Sequence, residues 1–107
     1  MHPDISRLVD LTGRVAVVTG GSRGLGRAMA IGFAQAGATV VVASRKLDAC
    51  QEVAAAINAA GGRGLAATVR MQEPDEVREL VRQAVDRFGR LDIIVNNAAT
   101  VDRKSVV

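Results

Sequence analysis

Beyond Gly13 the chain alternates between short continuous apolar runs and longer stretches in which apolar residues return every three or four positions. Arg14 to Thr19 is compact, rich in valine and bounded by glycines, which predicts a strand buried on both faces. From Leu25 to Ala36, Leu25, Met29 and Phe33 fall four apart, predicting a helix that packs through those residues and ends at Gly37. The cycle repeats. Thr39 to Ala43 reads as a second strand, and Lys46 to Ala60 as a helix with Leu47, Cys50, Ala54 and Ile57 inward before Gly61-Gly62. Leu65 to Val69 is a third strand. Pro74 suits a first helical turn, and Val77, Leu80, Val81, Ala84, Val85 and Phe88 keep helical spacing until Gly89. Leu91 to Val95 is the fourth strand, ending at Asn96-Asn97. Four strands alternating with three helices imply right-handed crossovers and a doubly wound α/β fold, its parallel sheet covered on both faces. Residues 1–107 form one domain without an internal linker, and 100–107 read as an irregular tail without a complete element.

Composition narrows the chemistry. The 107 residues are 49% apolar and 23% charged, and no apolar run is long enough to cross a bilayer, so neither a membrane protein nor a membrane partner is expected. Trp and Tyr are absent, and Phe33 and Phe88 are the only aromatics. One cysteine, Cys50, and one histidine, His2, exclude internal disulfides, multi-cysteine zinc sites and serine-histidine triads, and no metal site is expected. Cys50, on the inward helical face, reads as a small buried thiol. The pI near 10.0 comes from fourteen Lys and Arg interspersed with eleven Asp and Glu. With no basic stripe and no stacking aromatics, nucleic acid is not an expected partner. Glu52, Glu76, Arg78, Glu79 and Arg82 fall on outward helical faces and are assigned only solvation and weak pairing. Met1 to Leu11 lacks the basic start and apolar core of a secretion signal, so a cytoplasmic location is expected.

The informative stretch is Thr19-Gly20-Gly21-Ser22-Arg23-Gly24-Leu25-Gly26, between a buried strand and an amphipathic helix. Glycines permit positive backbone angles and close approach of the main chain, and free amides at a helix start carry partial positive charge. A pyrophosphate fits that arrangement; a plain tight turn is the other reading, and the flanking strand and helix favour the nucleotide.

The glycines fall as T-G-x-x-x-G-x-G, and Asn96-Asn97-Ala98-Ala99 follows the fourth strand. Together these motifs resemble the short-chain dehydrogenase/reductase family over about Leu11 to Ala99. The resemblance implies a partial Rossmann-type sheet of order 3-2-1-4, with NAD(P) lying across the carboxyl ends of the strands. It implies that Gly20, Gly24 and Gly26 shape the phosphate loop, with Thr19 and Leu25 beside it and Ser22 and Arg23 lining it. Ser44, Thr68 and Val69, at the ends of the next strands, are counted among the cofactor-binding residues, and Asn96 and Ala98 border the adenosine side and brace the sheet. A polar turn satisfying its own backbone is the alternative for Asn96-Asn97.

After the second strand, an acidic residue would hold the ribose hydroxyls of NAD, but this chain has Ser44-Arg45-Lys46. Arg45 can pair with a 2′-phosphate, with Arg23 near enough in the family's geometry to help, so NADP is favoured over NAD. The alternative is that Arg45 and Lys46 only open a solvated helix face. Thr68 stands where the family usually has an aspartate that contacts adenine, and Ala99 replaces the commoner glycine. The family's catalytic serine, tyrosine and lysine lie beyond the fourth strand. With no tyrosine in the chain, no catalytic residue is assigned, and Lys104 and Ser105 read as tail.

The expectation is therefore the cofactor-binding portion of a short-chain oxidoreductase, truncated after the fourth strand and inactive alone. The parent chemistry implied is hydride transfer between NADPH and a carbonyl or alcohol, with the substrate undetermined. The alternative is a non-catalytic dinucleotide-binding or interaction module that needs a complementary chain. An uncovered fourth strand, carrying Ile93, Ile94 and Val95, predicts marginal stability and self-association along that edge.

Overall fold

The computed structural model describes residues 10–20, 24–70 and 73–96 of the protein. Seven elements follow in order: β1 (Val15–Thr19), α1 (Gly24–Gln35), β2 (Thr39–Ser44), α2 (Leu47–Ala59), β3 (Arg63–Thr68), α3 (Pro74–Phe88) and β4 (Ile93–Asn96). The strands form one parallel sheet of order β3-β2-β1-β4, as the resemblance implies.

Strand alternation sorts the valines onto two faces. Ala16 and Val18 of β1 and Val40 and Val42 of β2 pack with Ala30 of α1 and with Cys50, Val53 and Ile57 of α2. Val17 and Val41 point the other way, with Ala43 and Val69, and meet Leu80 and Ala84 of α3. All five residues of β1 are buried, which is why its sequence runs apolar without alternation. Each fully buried valine contributes roughly 1.5–3 kcal/mol relative to exposure, so β1 and β2 carry most of the cohesion.

Three local readings are corrected. Helix α1 buries Gly26 and Ala30 and packs Phe33 against the same core, as expected of Phe33, while Leu25 is 69% exposed. In α2, Cys50, Val53, Ala54 and Ile57 are buried and Leu47 is exposed. Strand β3 starts two residues early, at Arg63, and β4 two residues late, at Ile93. The early start of β3 is explained by Asn58, whose amide accepts from Gly64 N at 2.8 Å and donates to Gly64 O at 3.0 Å. That exchange imitates a neighbouring strand and blunts the outer edge of β3. Gly64 is required there, since a β-carbon would lie 3.1 Å from Ala54 Cα and 3.1 Å from Ala54 O.

The late start of β4 has its own cause. Asp92 is held outside the strand by its carboxylate, which accepts from Val15 N at 2.8 Å and Arg90 Nε at 2.9 Å and pairs with Arg14 at 3.4 Å. This cluster clamps the amino ends of β1 and β4. At the other end, Glu76 takes more than solvation. It accepts from Arg70 N at 2.9 Å and Arg70 Nε at 2.8 Å, tying the segment after β3 to the first turn of α3. The other α3 pairs, Arg78–Asp75, Arg82–Glu79 and Arg82–Asp86, are exposed and worth little. Among the described residues no strand covers the outer edge of β4, and Ile94 beside Val17 is 53% exposed.

Hydrogen bonds from Arg90 and from the Val15 amide hold the Asp92 carboxyl down from its ordinary 3.8 to about 2. A carboxyl depressed in the folded state stabilises fully above its unfolded value, and that contribution disappears as pH falls through the folded one. Asp92→Asn should therefore be less stable than the parent near neutral pH, with the difference shrinking between about pH 4 and about pH 2. Urea denaturation across that range checks it; a difference independent of pH would contradict the clamp.

Candidate functional site

Parallel register brings the ends of the strands level. Thr68 of β3 pairs with Ser44 of β2, Ala43 of β2 with Thr19 of β1, and Thr19 with Asn96 of β4. The sequence-predicted positions in the described residues thus share one end of the sheet, where open α/β folds bind ligands.

Thr19 is almost fully buried, and its hydroxyl is shared between Val95 O at 3.0 Å and Asn96 Oδ1 at 3.2 Å. This fastens β4 to β1 at the rim and directs the Asn96 side chain along the sheet end. Gly20 has φ +66° and donates its amide to Ala43 O at 2.7 Å, and Gly24, at φ +61°, opens α1. Positive φ at both positions is costly for other residues, and space around the missing Gly24 side chain is open. Gly26 is buried on the sheet side of α1. Leu25 projects outward beside the turn. The intervening Ser22 and Arg23 lie outside the described residues, as does Ala98.

On the β2 side, the Ser44 side chain is committed locally, accepting from Lys46 N at 3.1 Å and sharing a 3.1 Å contact with Cys50 Sγ. Arg45 is exposed and makes no ion pair among the described residues. No carboxylate occurs at residues 44–46. Thr68 is exposed at the end of β3, whereas Val69 is 1% exposed, its side chain in the α3-side core and its amide donating to Ser44 O at 3.0 Å. Val69 therefore offers the rim only its backbone.

Among the described residues these groups supply a helix start behind a positive-φ glycine, an exposed guanidinium without an ion pair one strand away and a carboxamide on the other flank. That set suits an elongated anion with phosphate near α1. No group of three or more His, Cys, Asp or Glu side chains suited to a metal occurs among the described residues. None of their helices is long and apolar enough to cross a membrane. A separate depression of about 110 Å³ lies between α3 and strands β2 and β3, lined by Val41, Leu65, Leu80, Ala84 and Phe88 with Gln83 and Arg87. It contains no convergent set of titratable groups. Sequence reasoning missed Asp92, Asn58 and the Ser44–Cys50 contact. Only Asp92, a lone acid before an apolar run, carried any local signal.

Residues 14–106 match the family described as short chain dehydrogenase. An uncharacterized oxidoreductase of Mycobacterium tuberculosis is 49% identical over 94 residues, covering 88% of this chain and 35% of the relative. A short-chain type dehydrogenase/reductase from Mycobacterium marinum superposes with a TM-score of 0.83 at 40% identity, over 94% of this chain and 40% of that one. A metagenomic short-chain oxidoreductase, solved in complex with NADP, gives a TM-score of 0.80 at 37% identity, over 84% and 41%. The chain belongs to the short-chain dehydrogenase family, and it spans about a third to two fifths of the length of these relatives.

Proposed function

We propose that these residues form the NADP(H)-binding portion of a short-chain oxidoreductase whose reaction is hydride transfer between NADPH and a carbonyl or alcohol. The observation that carries the choice of cofactor is Arg45, exposed and without an ion-pair partner among the described residues, following β2 in a turn with no carboxylate. Gly24 and the first amides of α1 receive the pyrophosphate, with Gly20 shaping the turn before them, Arg45 receives the 2′-phosphate, and the rim between Thr68 and Asn96 the adenosine. Ser22, Arg23 and Ala98 belong to the same reading by position in the motifs. When bound, the nicotinamide donates or accepts the hydride. This chain's own groups bind and orient it; none is a proton donor of the family's tyrosine type, because the chain contains no tyrosine.

Isothermal titration of the 107-residue chain should show NADP+ binding more tightly than NAD+ by roughly tenfold or more, the worth of one charge-assisted contact of about 1.5–3 kcal/mol. Arg45→Asp should reverse the order, and neither form should turn over ketones with NADPH. Equal affinities in the parent chain would remove Arg45 from the site.

The open edge of β4 favours a second, compatible reading: an interaction module whose sheet is continued by another chain, a second copy included. Its support is the half-exposed Ile94 beside an edge left unpaired among the described residues, against a β3 edge closed by Asn58. Sedimentation velocity should then show association that rises with concentration and is suppressed by Ile94→Lys. A monomer at every concentration would rule this edge out as a self-association surface.

A further inference from the structure

Residues 44–46 are built in a way that a solvated helix start does not need. Ser44 is 8% exposed and Cys50 is fully buried in the core beneath α1 and α2. The Ser44 hydroxyl meets three groups: Lys46 N at 3.1 Å, Cys50 Sγ at 3.1 Å and Lys46 O at 3.4 Å. A hydroxyl has one proton and two lone pairs, and one assignment uses all of them. Lys46 N–H and the Cys50 thiol donate to the oxygen, and the oxygen donates to Lys46 O.

Helix α2 has no side-chain cap of its own at Lys46, and its first backbone bond runs from Cys50 N to Lys46 O at 3.1 Å. Arg45 is therefore the middle residue of a turn closed by the Ser44 hydroxyl on Lys46, and that hydroxyl is itself backed by a thiol on the buried face of α2. The same short stretch holds the other half of the site, because Ala43 O receives the Gly20 amide and Ser44 O the Val69 amide.

We propose that Cys50 and Ser44 are a positioning pair that fixes Arg45 and so sets the discrimination between 2′-phosphorylated and unphosphorylated adenosine dinucleotides. This inference rests on the NADP reading given above. Neither residue touches the cofactor in this role. A guanidinium on a long flexible side chain gains from a phosphate only what is left after ordering its stem, and a fixed turn lowers that cost. Loosening the turn weakens the phosphate contact and leaves the contacts that NAD shares.

The test titrates NADP+ and NAD+ into the parent 107-residue chain, Cys50→Ala, Cys50→Ser, Ser44→Ala, Arg45→Ala and the Cys50→Ala/Arg45→Ala double variant, with circular dichroism as a check of folding. Cys50→Ala and Ser44→Ala should each lose about two- to tenfold in NADP+ affinity, the worth of one net hydrogen bond, with NAD+ affinity held within about twofold. Cys50→Ser, which restores a donor, should recover most of that loss. In the double variant, loss of Cys50 should cost nothing further once Arg45 is gone. If Cys50→Ala does not fold, Ser44→Ala breaks the same contact without opening the core and decides the question. Equal weakening toward both cofactors, or an unchanged ratio, would overturn the pair's role. A parent chain without NADP+ preference would overturn the NADP reading instead. A preference abolished by Arg45→Ala but indifferent to Cys50 and Ser44 would overturn this inference alone.

Discussion

Strand β1 is hydrogen-bonded on both sides and buried on both faces, and it ends in a buried threonine followed by a glycine with positive φ. Because β1 is parallel to both neighbours, its register sets the level at which β2 and β4 finish. Thr19 then ties β4 to that level through Val95 and Asn96, and Gly20 ties β2 to it through Ala43. One buried strand end thus assembles groups from four separate stretches of sequence into a single rim. The amino ends are closed differently, by the Asp92 carboxylate bridging Val15, Arg90 and Arg14. One end of the sheet is locked by charge, and the other carries the exposed Arg45 just beyond β2.

The sheet was legible because its strands are runs of valine and alanine with glycine punctuation, a pattern that local chemistry dictates. The glycine turn was legible for the same reason, and the family resemblance supplied the strand order that periodicity alone does not. What escaped was long-range. A four-residue apolar spacing pointed to Leu25 as a packing residue in α1, yet Gly26 and Ala30 are the residues the helix buries. The start of β4 depended on Asp92 finding Val15, 77 residues away. Asn58 reads as an ordinary polar residue near a helix end until β3 folds beside it.

The two edges of the sheet differ in kind. At β3, Asn58 occupies the backbone groups of Gly64, and Gly64 lets α2 lie close against the strand. At β4, Ile93 and Val95 are partly covered on the α1 side, while Ile94 faces outward on the α3 side. The sequence spends a specific side chain on closing one edge and β-branched apolar residues on the other.

Binding of a phosphorylated dinucleotide through the Gly20–Gly26 turn and Arg45 is the role proposed for this rim. Amide chemical shifts of the isotopically labelled chain, followed by NMR as NADP+ is added, test it most directly. The largest shifts are expected at Gly20, Gly24 and Gly26, at Ser44, Arg45 and Lys46, and at Asn96, with little change at Asn58, Gly64 or Asp92. Shifts centred on the depression between α3 and β3, or none at saturating NADP+, would contradict it.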